Sequence, residues 1–143
     1  NQHALEVKKP MFGICLGMQL FAKTSVEHGS HTGLGWLDAH IDLILPNEPD
    51  IKVPQVGWNE LTMHGADWLF EGLPKKGNDV YFVHSFHMIC NDASDLAATT
   101  YHGSTVTAAV SRGNLTATQF HPEKSQDNGL QIIQNWLQRD FSA

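Results

Sequence analysis

A cysteine between two glycines is the first place in this sequence where catalytic chemistry could be built. Cys15 follows an apolar run over residues 10–14 and precedes a helical pattern, with Gly13 and Gly17 on either side. A strand that turns sharply into a helix holds such a side chain out at the corner, and glycines fit where bulkier residues would clash. The N-terminus of a helix also favours a thiolate over a thiol. A cysteine beside glycine is by itself most often a packing residue, so the prediction of a nucleophile depends on finding a base.

Such a base is available near the other end of the chain. His121 and Glu123 follow a strand-like run over residues 115–118, with Pro122 between them. In an extended chain, side chains two positions apart point to the same side, so Glu123 can orient the imidazole of His121. A nucleophile and a base that are distant in sequence commonly meet in the fold. The three residues therefore predict a Cys-His-Glu triad in which the imidazole takes the proton of the Cys15 thiol.

These motifs resemble those of the class I glutamine amidotransferases. The family pattern G-x-C-x-G-x-Q matches residues 13–19, and the His-Pro-Glu motif matches residues 121–123. Longer segments are similar to one branch of this family, the glutaminase subunits of imidazole glycerol phosphate synthases, and they cover residues 12–19, 53–59, 81–86 and 119–125. The resemblance extends from near Lys9 to the C-terminus. It implies an α/β fold, namely the flavodoxin-like three-layer domain of the family.

The resemblance also implies an activity and the residues that perform it. The implied enzyme is a glutaminase that hydrolyses L-glutamine to glutamate and ammonia, with Cys15 as nucleophile, His121 as general acid and base, and Glu123 orienting His121. The residues implied to bind substrate are Leu16 (backbone N–H as oxyanion donor), Gln19, Glu27 (toward the α-ammonium group), Ser85 and Phe86 (backbone, toward the α-carboxylate). The resemblance implies no cofactor and no metal.

A partner protein is implied in the same way. Glutaminase subunits of this branch form a heterodimer with a β/α-barrel cyclase or synthase subunit. The ammonia they supply is used to make imidazole glycerol phosphate and an aminoimidazole carboxamide ribotide (AICAR) in histidine biosynthesis. Trp58, Asn59 and Lys124 match the face that meets this partner, and an exposed tryptophan suits such an interface. Gln55 stands where many relatives carry His, which leaves the partner contacts open.

Other functions also remain open at this point. A paralogous amidotransferase could feed ammonia to a different synthase, for example one that aminates a surface sugar. An inactive partner-binding module is the other alternative, because nothing in the sequence matches the family's glycine-rich oxyanion loop. A cysteine protease is disfavoured, since Glu rather than Asn or Asp follows His121 at the second position and Gln19 would have no role.

The beginning of the sequence affects this expectation. The chain starts at Asn1 rather than at Met, and residues 1–8 resemble the end of a helix that leads into the first strand. We therefore expect N-terminal strands and a helix of the family fold to be missing. Because an oxyanion needs at least two donors and Leu16 supplies one, glutaminase activity is expected to be largely lost.

Composition excludes several functional classes. A length of 143 residues with 41% hydrophobic content suffices for a core, and we predict that residues 1–143 form a single amidotransferase domain. A formal net charge of −6 without a basic cluster argues against nucleic acid as a partner. No apolar run reaches membrane-spanning length, so no membrane association is expected. Two cysteines without a signal peptide favour the reducing cytoplasm.

One pattern could be mistaken for a metal site. His84, His87 and Cys90 form an H-x-x-H-x-x-C string within a strand-like region. Side chains three apart on a strand point to opposite faces, so the string does not bring three ligands together. We predict no metal here and a packing role for Cys90.

The elements that must position the triad form an α/β pattern. Strands are predicted over residues 10–14, 36–43, 51–61, 80–84, 86–90, 97–101, 105–110 and 115–118. Helices are predicted from residue 16 until the pattern fades within residues 24–29, around 68–70, and from near 127 to the end. This order places Cys15 at the carboxyl end of a central strand, where open sheets have their sites.

Overall fold

Short strands make up most of the regular structure. The computed structural model describes residues 1–142. The strands within these residues are β1 (Met11–Ile14), β2 (Thr24–Ser25), β3 (His31–Thr32), β4 (Ala39–Leu43), β5 (Gln55–Asn59), β6 (Thr62–Met63), β7 (Val80–His84), β8 (Phe86–Cys90), β9 (Leu96–Tyr101), β10 (Thr105–Arg112) and β11 (Leu115–Thr118). The α-helices are α1 (Leu16–Gln19) and α2 (Gln126–Gln138). A π-helical turn covers Gln2–Glu6, and 3-10 turns cover Asp67–Phe70, Ala93–Asp95 and Pro122–Lys124.

The strands assemble into three sheets. The largest has the order β1-β11-β10-β9-β6, in which β1 and β11 are parallel and the other pairs are antiparallel. A second sheet has the order β3-β2-β4-β8, and β5 pairs with β7 alone. The parallel pair of β1 and β11 brings two carboxyl ends to the same edge of the largest sheet, where the candidate residues follow.

Strand β11 lies between two hydrophobic clusters. Leu115 and Ala117 belong to the first cluster, which also contains Met18 of α1. Phe120, just beyond β11, belongs to the second cluster with Ile132 of α2. All four residues of β11 are buried. Burial of each large side chain stabilises the fold by about 1.5–3 kcal/mol, so both clusters hold the strand that leads to His121.

Helix α2 closes the fold on the second cluster. One face of the helix packs against the fold and the other faces solvent. Ile132 lies on the packed face and is fully buried, whereas Leu130 and Leu137 lie on the exposed face. Trp136 of this helix stacks on Phe12 of β1, with ring centroids 5.3 Å apart. The helix thereby packs against the strand that precedes Cys15.

The predicted strands are largely confirmed, and several predicted bounds are wrong. The strand predicted over residues 51–61 is confined to β5. Helix α1 ends at Gln19 rather than near residue 24. The carbonyl groups of Leu20, Phe21 and Ala22 accept hydrogen bonds from residues 34, 37 and 35, so they are not available to continue the helix. Strand β4 begins at Ala39 rather than at residue 36. The N–H of Leu37 donates to the carbonyl of Phe21, so this residue is part of the loop after β3 and not of the strand.

The second half of the chain agrees more closely with the prediction. β7, β8 and β11 have the predicted bounds, and β9 and β10 form the predicted hairpin. α2 begins one residue before the predicted start. Within residues 1–142, no helix has the length and apolar character needed to cross a membrane.

Candidate active site

Cys15 occupies a strained backbone corner between β1 and α1. Its φ of 51° and ψ of −106° lie in a region that residues with a Cβ atom rarely adopt. The Cys15 N–H donates to the carbonyl of Thr118 at 2.8 Å, which continues the pairing of β1 with β11 by one residue. The corner is therefore held by the neighbouring parallel strand, as the elbow prediction requires.

The two glycines beside Cys15 have different roles. A Cβ atom added at Gly13 would lie 2.9 Å from the carbonyl carbon and oxygen of Gly17. A Cβ atom at Gly17 would meet nothing within 4 Å. The prediction that both glycines are needed for steric reasons is wrong for Gly17, because it lies on the open side of α1.

His121 and Glu123 form a close pair beyond the end of β11. His121 Nδ1 and Glu123 Oε1 are 2.6 Å apart, and Nδ1–H donates to the carboxylate. The chain reaches this geometry through the 3-10 turn Pro122–Lys124 rather than through the extended conformation that the sequence suggested. The pairing of the two side chains is as predicted, whereas the local backbone that produces it is different.

The backbone of His121 is fixed on both sides. Its N–H donates to the carbonyl of Tyr81 at 3.0 Å, and its carbonyl accepts from Ser125 Oγ at 2.7 Å. Ser125 is almost fully buried, and its Oγ also accepts from the N–H of Tyr81 at 2.9 Å. This small network fixes the backbone of His121 against β7. Sequence reasoning missed Ser125, which stands two residues after Glu123.

The Cys15 sulfur is a thiol whose pKa is raised. Burial is the main cause, and the carboxylates of Glu123 and Glu27 also raise the pKa. Hydrogen bonds from the Leu16 N–H and from the Gln119 side chain act in the opposite direction. The expectation that the start of α1 favours the thiolate is wrong in net effect, because burial outweighs the donors of a four-residue helix.

Gln119 is the side chain that contacts the sulfur. Its Nε2 donates to Cys15 Sγ at 3.7 Å, and Gln119 is fully buried. Among residues 1–142, His121 makes no hydrogen bond with Sγ. Gln119 was not predicted as a site residue, although it stands two positions before His121 in the motif on which the prediction rested.

Gln19 and Glu27 line one cavity together with Leu16, the residue that follows Cys15. This cavity has a volume of about 310 Å³. Gln19 Nε2 donates to the carbonyl of Phe86 at 3.1 Å and to Gln119 Oε1 at 3.2 Å. Both hydrogens of the Gln19 amide are thus used within the protein, which leaves its carbonyl oxygen for a ligand.

Ser85 and Phe86, unlike Glu27, do not line this cavity. The structure brings Phe86 to Gln19 through its carbonyl group, and the carbonyl of Ser85 accepts from the N–H of Ile44 at 2.9 Å. Their predicted backbone contacts with a substrate therefore stay predictions.

Comparison with known proteins identifies the family. The family model described as glutamine amidotransferase class-I matches residues 1–139. The chain belongs to this family. Its solved structural neighbours include a glutamine amidotransferase from Thermotoga maritima, with a TM-score of 0.61 and 17% identity over 95% of this chain and 48% of that one. PurLQS from the same organism has a TM-score of 0.65 and 20% identity over 95% of this chain and 64% of that one. These neighbours show the amidotransferase fold.

Several relatives carry one name. The imidazole glycerol phosphate synthase subunit HisH of Agrobacterium fabrum is 45% identical over 131 residues, which are 90% of this chain and 60% of that protein. The subunits HisH of Rhodospirillum rubrum and Brucella abortus are 43% and 42% identical, over 94% and 96% of this chain. The matches cover 63% and 64% of those two proteins. The amidotransferase chain thus spans less than two thirds of the length of these curated relatives.

The predicted partner-facing residues of this amidotransferase lie on and near the ribbon formed by β5 and β7. Trp58 is 49% exposed and packs edge-on against Tyr81, with ring centroids 5.9 Å apart. Lys124 is exposed at the end of the turn that carries Glu123. Asn59 uses its side chain internally, since Nδ2 donates to the carbonyl of Tyr101 at 2.6 Å.

Gln55 lies on the buried face of the same ribbon of the amidotransferase. It is 3% exposed, and its Oε1 lies 2.7 Å from Nε2 of His84. Burial lowers the pKa of His84 to about 4, so the ring is neutral, and Nδ1–H donates to the carbonyl of Phe86 at 2.7 Å. Nε2 must then accept, which requires the amide nitrogen of Gln55 to face the ring. In this orientation Gln55 Nε2 gains a partner that it otherwise lacks among residues 1–142.

The departure at position 55 therefore concerns internal packing. Because Gln55 is buried against His84, it does not offer its side chain to a partner protein. The His84, His87 and Cys90 string is divided between β7 and β8, and Thr107 N–H donates to His87 Nδ1 at 3.4 Å. Within residues 1–142, no cluster of three or more His, Cys, Asp or Glu side chains could hold a metal ion.

Proposed function

We propose that this amidotransferase chain acts as a glutaminase that releases ammonia from L-glutamine. The observation that carries the proposal is the register of β1 and β11. Ile14 pairs with Thr118, so the strained Cys15 and the pair His121 and Glu123 emerge at one sheet edge. A nucleophile, a base and a carboxylate that orients the base are the requirements of this type of acyl transfer.

The reaction follows from the proposed roles. His121 takes the proton of the Cys15 thiol, and Sγ attacks the side-chain amide carbon of glutamine. The same imidazole then gives the proton to the departing ammonia, which leaves a γ-glutamyl thioester on Cys15. Water hydrolyses the thioester with His121 as base, and glutamate is released. The raised pKa of Cys15 makes the base necessary, since little thiolate is present without proton transfer at neutral pH.

Substrate binding is proposed for the cavity that Leu16, Gln19 and Glu27 line. The Glu27 carboxylate suits the α-ammonium group by charge, and the Gln19 carbonyl oxygen suits an N–H donor of the substrate. The Leu16 N–H already points toward the sulfur and is the proposed oxyanion donor. Ser85 and Phe86 are proposed to meet the α-carboxylate through backbone N–H groups. The chemistry requires a free thiol, which the reducing cytoplasm maintains.

We propose a β/α-barrel cyclase subunit as the acceptor of the ammonia. The supporting observations are the name shared by the curated relatives and the apolar outer face of the β5 and β7 ribbon. Val56, Trp58 and Val83 alternate outward on this ribbon and are 59%, 49% and 39% exposed, while Phe82 and His84 point inward. Together with Lys124, this face is proposed to form the heterodimer that makes imidazole glycerol phosphate and AICAR.

Substitution of the nucleophile tests the proposal. The Cys15→Ser chain, produced together with the cyclase subunit, is expected to lose glutamine-dependent synthesis and to keep synthesis from added ammonia. Cys90→Ser serves as the matched control and should keep both activities, because Cys90 packs against the core. Loss of both activities in Cys15→Ser would contradict the assignment.

A glutamine analogue that alkylates thiols gives a second test. It should label Cys15 and spare Cys90, whose thiol pKa is raised to about 11 by burial. Absence of labelling at Cys15, even with the cyclase subunit present, would favour a partner-binding module without activity.

A further inference from the structure

A chain of hydrogen bonds with a fixed direction runs from β8 to the Cys15 sulfur. It begins at the carbonyl of Phe86, which can only accept hydrogen bonds. Gln19 must therefore present its amide nitrogen to this carbonyl, at 3.1 Å. The second hydrogen of the same nitrogen points to the Gln119 side chain, at 3.2 Å. Gln119 must therefore accept this hydrogen bond through its carbonyl oxygen. The orientation of the Gln19 amide thus fixes the orientation of the Gln119 amide.

These amide orientations determine which atom of Gln119 faces the Cys15 sulfur. Because Gln119 Oε1 faces Gln19, Gln119 Nε2 faces Cys15 Sγ and is a donor to it, at 3.7 Å. The backbone supports this placement, since the Gln119 N–H donates to the carbonyl of Ala108 at 2.8 Å. Ala108 is the extra residue at an irregularity in the pairing of β10 with β9, and bulges of this kind often aim a side chain near a site.

We propose that Gln119 is a further catalytic residue, which donates a hydrogen bond to the Cys15 sulfur and stabilises the thiolate formed when His121 takes its proton. The proposal rests on the proposed role of Cys15 as nucleophile. It assigns to Gln119 a function distinct from that of Leu16, whose N–H must also serve the oxyanion of the acyl group. A fully buried amide in this position costs free energy unless its hydrogen bonds are made, so its occurrence beside the sulfur calls for a role.

The surroundings of the sulfur explain why a donor is needed. The titratable groups that act on the Cys15 thiol are Glu123 beyond β11 and Glu27 beyond β2. Burial disfavours a thiolate at Cys15, and the negative charges of the two carboxylates disfavour it further. Until His121 carries the proton, the Leu16 N–H and Gln119 are the groups that act in favour of the thiolate.

The pH dependence of Cys15 alkylation tests the proposal without any substrate. The chain is treated with iodoacetamide over a range of pH, and modification is followed by mass spectrometry on the Cys15 peptide. Gln119→Met keeps the length of the side chain and removes the donor. We expect the midpoint of alkylation to rise by about one pH unit, which lowers the thiolate fraction about tenfold at neutral pH. Gln19→Met, which frees Gln119 Oε1 from its anchor, should raise the midpoint by a smaller amount.

Two controls separate this effect from general loss of structure. Gln134→Met removes an exposed glutamine of α2 and should leave the Cys15 midpoint unchanged. The Cys90 peptide reports on the same samples, and its alkylation should not change with Gln119→Met. An unchanged Cys15 midpoint in folded Gln119→Met would overturn the proposal, whether or not the wild-type chain hydrolyses glutamine.

A measurement on the unsubstituted chain covers the case in which Gln119→Met does not fold. The side-chain amide resonances of Gln119, assigned in a ¹⁵N-labelled sample, should shift with pH at the midpoint found for Cys15 alkylation. The shift should vanish in Cys15→Ala. Resonances that do not respond to the titration of Cys15 would show that the amide does not bind the sulfur.

Discussion

At the scale of single residues, Gly13 shows how a local motif depends on a close backbone approach. The first glycine of the elbow lies where any side chain would touch the start of α1, whereas the second lies in open space. The two positions look equivalent in the sequence. Only Gly13 is required for the chain to turn at Cys15.

Substitution of each glycine by alanine should reveal this difference. Gly13→Ala is expected to lower the free energy of unfolding by about 1–3 kcal/mol, because the new Cβ overpacks against Gly17. Gly17→Ala, the matched control, should be neutral or stabilise α1 by up to about 1 kcal/mol. Urea unfolding of the two variants measures both effects, and equal losses of stability would contradict the steric argument.

His84 is a second residue whose role depends on its surroundings. Its folded-state pKa of about 4 is below the ordinary value of 6.5, because burial disfavours the imidazolium. Between these values the unfolded chain binds more protons than the folded chain. The stability that comes from neutral His84 is therefore complete above pH 6.5 and is lost as the pH falls toward 4.

The pH dependence of unfolding can be assigned to His84 by substitution. The wild-type chain should lose about 3 kcal/mol from this group between pH 7 and pH 4. His84→Gln carries no titrating ring and should show a shallower decline over the same interval, measured by urea unfolding at each pH. His28→Gln is the control, because the His28 side chain is 90% exposed. An equally steep decline in His84→Gln would contradict the prediction.

At the scale of elements, α2 supports the turn that carries Glu123. Gly129 lies against this turn so closely that an added Cβ atom would be 1.8 Å from the carbonyl oxygen of Pro122 and 2.8 Å from Ser125 Cβ. The Gly129 N–H also donates to the carbonyl of Ser125 at 3.2 Å. The helix and the turn are thus packed backbone to backbone.

Gly129→Ala should separate α2 from this turn. We expect a loss of about 3 kcal/mol in stability, together with a fall in glutaminase activity because the turn that carries Glu123 moves relative to His121. The measurements are thermal unfolding and glutamine turnover with the cyclase subunit. Leu130→Ala, at the next and exposed position of the same helix, should change neither quantity appreciably. Normal activity in Gly129→Ala would show that the position of the turn does not govern the site.

At the scale of the whole molecule, the ribbon of β5 and β7 connects the site with the proposed partner. Its inner face carries Phe82 and His84, and its outer face carries Val56, Trp58 and Val83. Tyr81 joins the two functions, because its ring packs against Trp58 while its carbonyl accepts from the N–H of His121. A protein bound to the outer face would therefore lie close to the base.

Truncation of Trp58 should weaken the heterodimer. Trp58→Ala is expected to raise the Kd for the cyclase subunit about 30-fold, as loss of an aromatic anchor commonly costs about 2 kcal/mol. Titration calorimetry with the purified cyclase subunit measures this change. Leu137→Ala removes a large exposed side chain from α2 and should leave the Kd unaltered. A similar effect of both variants would argue against an interface on the ribbon.

The sequence by itself predicted the residues of the proposed triad. The apolar run before Cys15 and the short run before His121 are local signals, and they correspond to β1 and β11 with closely similar bounds. Such features depend on backbone geometry within a few residues, and therefore they can be predicted from sequence.

The tertiary structure decided what surrounds the side chains of this proposed triad. The parallel register of β1 and β11, the contact of Gln119 with the sulfur, and the burial of Gln55 against His84 join residues that are distant in the chain. The early end of α1 has the same origin, since the carbonyl groups of the three residues that follow it accept hydrogen bonds from residues 34, 35 and 37. The raised pKa of Cys15 is the clearest example, because burial is produced by all neighbouring elements together. Local sequence specifies which side chains can react, whereas packing specifies in which protonation state and beside which donors they do so.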